Sequence, residues 1–234
     1  MRTKIFNLII LDESGSMECV RKQTINGCNE TINTVISAQR RFAETQEHFT
    51  SIFAFQENSE VKSHYLIKNE PAEEVKHITM NDYNPWGSTP LYDALGATLV
   101  DLKQKVDKEE LAIGSVTIIT DGEENSSKVY TLERVSEMIE ALKEKGWNFN
   151  FIGANIDVKQ TAHHLNIDNY LEFEQSEEEV DEMFARERKS RMNYYRRMSD
   201  ASEEAAALGG ALLAVDLKEL SKNYFDLPEE DEKE

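Results

Sequence analysis

The chain has few residues that could cross-link a small protein, because its 234 residues include two cysteines. Cys19 and Cys28 can form no disulfide framework, and neither lies in a Cys-x-x-Cys or Cys/His pattern that would indicate structural zinc. We interpret Cys28, which falls at a helical core spacing, as a buried thiol. The sequence therefore predicts neither a disulfide-stabilised nor a zinc-stabilised scaffold.

Long apolar runs are missing as well. No stretch approaches the roughly 20 residues that are needed to span a bilayer. Arg2 and Lys4 before the apolar residues 5–11 superficially resemble a signal peptide. That run is too short, and it leads into a polar loop rather than a small-residue cleavage site. We expect a soluble, cytoplasmic protein with no membrane partner.

Several common catalytic motifs do not occur. The sequence has no His-Glu-x-x-His motif, no Gly-x-Ser-x-Gly elbow and no phosphate-binding glycine loop. The histidine pair His163–His164 does not replace them, because adjacent residues do not share a helix face. A binding module is thus favoured over an enzyme.

Positive charge is scarce, with 26 basic against 45 acidic residues and a net charge of -19. This balance disfavours nucleic acid as a partner. One local cluster departs from it and has two interpretations: an RNA- or phosphate-binding surface, or a solvated helix face, which the overall charge favours. Its members are Arg186, Arg188, Lys189, Arg191, Tyr194, Tyr195, Arg196 and Arg197.

Hydrophobic periodicity predicts alternating strands and helices. The predicted strands are residues 5–11, 49–55, 61–67, 114–120, 147–152 and 170–173. The predicted helices are residues 21–46, 90–106, 132–142 and 157–165, and a long one that opens at Ser176. This alternation predicts an α/β fold with a doubly wound, mostly parallel six-stranded sheet. Residues 61–67 follow such a short turn that they should form an antiparallel edge strand.

The chain is predicted to divide into three parts. Residues 1–188 form the α/β domain, residues 189–226 a C-terminal helical extension, and residues 227–234 an acidic, disordered tail. Apolar positions in the extension should dock on the domain or on a partner, and the sequence leaves both open. They are Leu208, Leu212, Leu213, Val215, Leu217 and Leu220.

The strand of residues 5–11 ends at Asp12, which is followed by Ser14 and Ser16 with Gly15 between them. This arrangement places one carboxylate and two hydroxyls on a tight loop. These hard oxygen ligands suit Mg²⁺ or Mn²⁺ and leave room for water and an outside ligand.

Two later stretches add oxygen ligands. Thr89 lies before Pro90, and Asp121 follows the buried strand of residues 114–120. Thr89 alone also fits a helix N-cap, and Thr-Asp-Gly alone is a common turn. Since carboxyl ends of parallel strands meet at the switch point of strand order, Asp12 and Asp121 converge if their strands are neighbours.

With these motifs the chain resembles the von Willebrand factor A family over roughly its first three quarters. The resemblance assigns the metal-ion-dependent adhesion site (MIDAS) of that family to Asp12, Ser14, Ser16, Thr89 and Asp121. It implies a doubly wound fold with an antiparallel edge strand and a bound Mg²⁺ or Mn²⁺. It further implies a non-enzymatic, metal-dependent protein-interaction module, whose partner supplies a Glu or Asp to the ion.

The resemblance extends to small intracellular bacterial members of the family, such as the tellurite-resistance-associated type. It therefore implies a partner such as an AAA+ ATPase or another protein of the same operon. The alternative is a Mg²⁺-dependent phosphatase like the haloacid dehalogenase superfamily, with Asp12 as nucleophile. That superfamily needs a second Asp two residues later, where this chain has Ser14, and no well-placed Lys follows.

Overall fold

A six-stranded sheet forms the centre of the computed structural model, which describes residues 2–57, 62–210 and 214–227. Its strands are β1 (Thr3–Asp12), β2 (Gln46–Glu57), β3 (Lys62–Pro71), β4 (Ala112–Thr120), β5 (Asn148–Gly153) and β6 (Asn169–Glu172). They lie in the order β3-β2-β1-β4-β5-β6. β2 and β3 pair antiparallel and the other neighbours pair parallel, which confirms the predicted fold class and its edge strand.

Helices cover both faces of the sheet. They are α1 (Arg21–Arg41), α2 (Leu91–Val106), α3 (Leu132–Lys143), α4 (Val158–His164), α5 (Glu177–Ala207) and α6 (Ala214–Leu220), with a short 3-10 helix at Gly15–Val20 before α1. One apolar cluster joins α1 and α5 to one face of the sheet, and a second joins α2, α3 and α4 to the other.

β1 shows why the central strands have apolar residues in succession. Ile5 and Ile9 point into the cluster under α1 and α5, whereas Phe6 and Leu8 point into the opposite cluster. Because both faces of a parallel sheet are covered by helices, residues of both parities are buried, and a continuous apolar run results.

The end of α1 differs from the prediction. The helix stops at Arg41 rather than at residue 46, and the backbone N–H of Gln46 closes a turn onto the carbonyl of Phe42. Gln46 then starts β2 by pairing with Thr3. The apolar residues after Arg41 continue the helical spacing, so hydrophobic periodicity alone predicts a helix that is too long.

α5 corrects both interpretations for three members of the basic cluster. Arg191 is 1% exposed, and Tyr194 and Tyr195 are fully buried. These three side chains therefore form neither an RNA-binding surface nor a solvated face. α5 also passes through residue 188 without interruption, while the division into three parts stays a prediction.

The C-terminal segment packs in part on this same domain. Leu217, Tyr224 and Phe225 are buried in the cluster beneath α5, whereas Leu208 is 90% exposed. Leu212, Leu213 and the side chain of Val215, like the predicted acidic tail after Leu227, lie outside the described residues. Within the described part of the chain, no helix is long and apolar enough to cross a membrane.

Candidate metal centre

The candidate site lies at the carboxyl ends of β1 and β4, which are neighbours in the sheet. Asp12 is the last residue of β1, and Asp121 directly follows β4. Chain connections leave toward opposite sides of the sheet at this pair of strands, so it is the switch point where doubly wound folds place their ligands. The predicted convergence of the two carboxylates is confirmed.

The loop after β1 is closed by its own polar groups. The backbone N–H of Ser14 donates to Asp12 Oδ1 at 2.7 Å, and the hydroxyls of Ser14 and Ser16 lie 3.1 Å apart. Ser16 Oγ then donates to Asp121 Oδ1 at 2.7 Å. This chain of contacts brings four of the five predicted ligands together.

Thr89, the fifth, is 3% exposed and lies beside the turn after β4. A Cβ atom placed on Gly122 would stand 3.5 Å from Thr89 Oγ1. The backbone of Thr89 is fixed by Asn125, whose Oδ1 accepts from Thr89 N at 2.9 Å. The N-cap position of α2 is Pro90, and the helix has no side-chain cap. The Thr89 hydroxyl is thus not used as a helix cap.

Sequence reasoning missed two groups that hold Asp12. Thr120 Oγ1 donates to Asp12 Oδ2 at 2.6 Å, and the Tyr83 hydroxyl donates to the Asp12 carbonyl at 2.6 Å. Thr120 precedes the predicted ligand Asp121 and could have been suspected from that position. Tyr83 carries no motif, because its contact depends on how a distant loop folds back.

Gln175, between β6 and α5, is a third missed group. Its Nε2 donates to Asp121 Oδ2 and, at 2.7 Å, to the carbonyl of Ser16. Its own Oε1 accepts from Asn155 Nδ2 at 2.8 Å. Gln175 therefore holds the second oxygen of the Asp121 carboxylate, while Ser16 holds the first.

The two carboxylates have no cationic partner within the described residues. Asp12 is fully buried and Asp121 is 3% exposed. Burial raises the pKa of Asp12 to about 6, although hydrogen bonds from Thr120 and Ser14 oppose the rise. Burial also raises the pKa of Asp121. Two buried carboxylates without a counter-ion are costly, and a divalent cation is the partner that would make both ionised forms favourable.

The donor set fits a hard cation. It combines two carboxylates with three neutral hydroxyls, and Mg²⁺ commonly binds through one or two carboxylates while keeping several waters. Within the described residues no group of three or more His, Cys, Asp or Glu side chains could hold a metal ion. A thiolate- or imidazole-rich centre is therefore not found there, and ligation by the five predicted residues stays a prediction.

Comparison with solved structures identifies the fold. The pilus adhesin SpaC of Lactobacillus rhamnosus GG matches 82% of this chain with a TM-score of 0.58 and 10% identity, over 30% of its own length. A von Willebrand factor type A protein of Catenulispora acidiphila matches 82% with a TM-score of 0.51 and 15% identity, over 43% of its length. The chain thus has the von Willebrand factor A fold.

A third similar structure is proximal thread matrix protein 1 of the mussel byssus, solved with a zinc-occupied MIDAS motif. It matches 79% of this chain with a TM-score of 0.51 and 12% identity, over 44% of its length. This chain therefore spans less than half of each of these three structures. No protein-family profile and no curated protein matches the sequence.

Proposed function

We propose that the protein is a metal-dependent protein-interaction module. The cation would be held by Asp12, Ser14, Ser16, Thr89 and Asp121. The observation that carries this proposal is the pair of buried carboxylates, Asp12 and Asp121, which are linked through serine hydroxyls and for which the described residues supply no counter-ion. The hardness of these oxygen donors favours Mg²⁺ or Mn²⁺. The zinc-occupied MIDAS of the similar mussel protein supports a divalent ion in general.

The neutral hydroxyls set what such a site can do. When bound, a divalent cation supplies an open coordination position for an outside carboxylate. Ser14, Ser16 and Thr89 contribute oxygen atoms without adding negative charge. Because few direct carboxylates neutralise the ion, it stays attractive to a Glu or Asp of a partner.

The surface around the site fits protein binding. Five large apolar side chains are exposed in the described residues, namely Met80, Trp86, Val100, Val129 and Leu208. Met80, Trp86 and Val129 lie on the loops before α2 and after β4. The Trp86 side chain is 69% exposed, and its residue is attached to the metal-site loop because the backbone N–H of Trp86 donates to the Glu13 carbonyl at 2.8 Å. Exposed tryptophans are frequent binding hot spots.

Phosphatase chemistry is less well supported. A nucleophilic Asp must reach its substrate, whereas Asp12 is fully buried and both its oxygens accept hydrogen bonds, from Ser14 N and Thr120 Oγ1. We further propose that the module works inside a bacterial cytoplasm, with an AAA+ ATPase or another protein of the same operon as partner. That part rests on the resemblance of the sequence motifs alone.

Metal titration tests the site. We expect Mg²⁺ or Mn²⁺ at a hundred times its Kd to raise the free energy of unfolding by about 2.7 kcal/mol. Asp121→Asn should abolish this gain and Thr89→Ala should reduce it, as measured by calorimetry and thermal melting. Thr34→Ala removes a hydroxyl from an exposed helix position and is the matched control. Equal metal responses in the wild type and Asp121→Asn would refute the site.

Selection from a displayed library of acidic peptides tests the interaction. We expect Mg²⁺-dependent peptides that share one indispensable Glu or Asp and lose affinity upon chelation. Trp86→Ala should weaken these peptides about tenfold or more without changing the metal affinity. Peptide binding that is indifferent to chelator would contradict a metal-mediated contact. Phosphatase turnover that requires Asp12 would replace the proposal with the enzyme alternative.

A further inference from the structure

A row of buried polar atoms that have no hydrogen-bond partner among the described residues lies on β5 and α5, at the end of the sheet opposite the candidate metal centre. The unpartnered atoms are Asn148 Oδ1, Asn150 Nδ2, Asn150 Oδ1, Ser190 Oγ, Tyr194 Oη, Arg197 Nε and Arg197 Nη2. An unsatisfied buried polar group costs about 1–3 kcal/mol. So many unpartnered atoms in one place indicate that a bound species completes their hydrogen bonds.

The fold brings these residues together. Ser190, Tyr194 and Arg197 are spaced by four and three residues along α5, so they share one face of the helix. Asn150 pairs in register with Thr117, and Thr117 Oγ1 accepts from Arg191 Nη2 at 2.9 Å. The asparagines of β5 therefore lie beneath the same stretch of α5.

Arg197 is the charged member of the row. Its Nη1 donates to the Lys222 carbonyl at 3.5 Å, whereas Nε and Nη2 have no partner among residues 2–57, 62–210 and 214–227. Nε and Nη2 form one edge of the guanidinium, which is the edge that binds two oxygens of a carboxylate or phosphate side by side. Burial lowers the pKa of Arg197, as expected for a cation that has lost water without gaining an anion.

Arg197 is half-buried, and its buried Nε and Nη2 face no counter-ion in the part of the chain that the structure describes, so water there would satisfy the neutral atoms but not this charge. Donors also outnumber acceptors, since Arg197, Tyr194, Ser190 and the Asn150 amide offer N–H or O–H groups. We propose that the space between β5 and α5 binds a small oxyanion, with Arg197 as the bidentate donor and Tyr194 as a hydroxyl donor.

An adjacent cavity offers a route of entry. A cavity of about 610 Å³ is lined in part by Asn169 and Lys222, two residues that also neighbour the row of unpartnered atoms. Asn169 is the strand partner of Asn150, and Lys222 bonds Arg197 through its carbonyl. Lys143, Lys218 and Lys222 line this cavity, and each forms an ion pair, with Asp168, Glu144 and Glu219 respectively. The wall of the opening therefore carries both signs of charge, and the charge that would bind an anion is that of Arg197.

Anion titration of the full chain tests the proposal. Inorganic phosphate and acetate, each compared with chloride at equal ionic strength, are added with EDTA present so that the metal centre does not contribute. An anion at ten times its Kd should raise Tm by about 3–5 °C. A response to phosphate alone would identify a tetrahedral ligand, and a response to both would identify any two-oxygen anion.

Variants decide whether the response comes from this place. Arg197→Gln should lose the anion response, and Tyr194→Phe should weaken it while keeping the ring contacts. Arg196→Gln, in which the neighbouring arginine is changed, should respond like the wild type. Equal responses in Arg197→Gln and the wild type, no response of the wild type, or crystals from phosphate with only water at Arg197 would each overturn the proposal.

Discussion

The two faces of the sheet are buried equally but built differently. The face under α2, α3 and α4 is a continuous apolar cluster. The face under α1 and α5 is apolar toward the candidate metal centre and polar toward the opposite end. Its buried polar strand residues are Thr3, Asn7, Gln46, His48, Thr50, Ser115, Thr117, Asn148 and Asn150. An apolar face tolerates many combinations of apolar side chains. A polar face is favourable only if each buried polar group finds a hydrogen-bond partner.

Arg191 organises the polar face. Its Nε donates to Glu187 Oε1 at 2.8 Å and its Nη2 to Thr117 Oγ1 at 2.9 Å, and its Nη1 donates to Tyr195 Oη at 3.2 Å. Tyr195 Oη in turn donates to Asn7 Oδ1 at 2.6 Å. A buried ion pair adds little stability over an apolar pair, so we infer that this network fixes how α5 lies on the sheet.

The largest expected effect separates the two faces directly. Glu187→Gln keeps the shape of the side chain but leaves the fully buried Arg191 unpaired, so we expect a loss of about 3–5 kcal/mol in the free energy of unfolding. Ile139→Val on the opposite face removes one methylene and should lose about 0.5–1.5 kcal/mol. Urea denaturation measures both. Similar losses in the two variants would mean that the polar network does not constrain the position of α5 more strongly than apolar packing constrains the opposite face.

The same contrast explains how much could be predicted from the sequence. The fold class and the apolar face of the sheet can be predicted from local hydrophobic periodicity, because the residues buried there are apolar. The burial of Arg191 and Tyr195 cannot be predicted in this way. A basic residue such as Arg191 is almost never fully buried without a partner, and the partner must be known first. Glu187 lies four residues before Arg191 on α5, so that pair alone is a local pattern. Thr117 and Asn7 lie on β4 and β1, and no local pattern in the sequence connects them to α5.

The candidate metal centre lies between these cases. Asp12, Ser14 and Ser16 are adjacent in sequence and could be found as a motif, and Asp121 followed from its position after a strand. Gln175 could not be found, because it reaches Asp121 only through the path of the chain between β6 and α5. Motifs identify ligands, whereas the groups that orient ligands depend on tertiary structure.

Two glycines, one on each side of the sheet, provide a comparison in which the expected losses of stability are of intermediate size. A Cβ atom on Gly27 of α1 would lie 2.1 Å from the ring of Phe184, and one on Gly96 of α2 would lie 2.2 Å from the ring of Tyr130. Phe184 is 1% exposed, but Tyr130 is only partly buried and its ring has room to move toward solvent.

We therefore expect Gly27→Ala to lose about 1–3 kcal/mol and Gly96→Ala less than about 1 kcal/mol. Both variants gain the same helix propensity, so the difference between them reports the packing. Thermal melting in parallel is sufficient. A larger loss in Gly96→Ala would show that the face under α2 and α3 is the less adaptable of the two.

A pH dependence of stability is expected of the polar face alone. His48 on β2 is buried, and burial together with the charge of Arg191 lowers its pKa to about 3. The unfolded chain takes up this proton near pH 6.5, which is well above the pKa in the folded state. Stability from His48 is thus complete above pH 6.5 and is lost as the pH falls from there toward 3.

Between pH 7.5 and 5.5 this loss should amount to about 1 kcal/mol. His48→Gln supplies the control, because a glutamine can still hydrogen-bond to Gln46 Oε1, as His48 Nε2 does at 2.9 Å, but does not titrate. Urea denaturation at the two pH values should therefore show a smaller drop for His48→Gln than for the wild type, since other titrating groups are common to both. Equal drops would place the pH sensitivity elsewhere in the chain. They would also mean that the polar face accommodates a protonated imidazole beside Arg191, which its dense burial argues against.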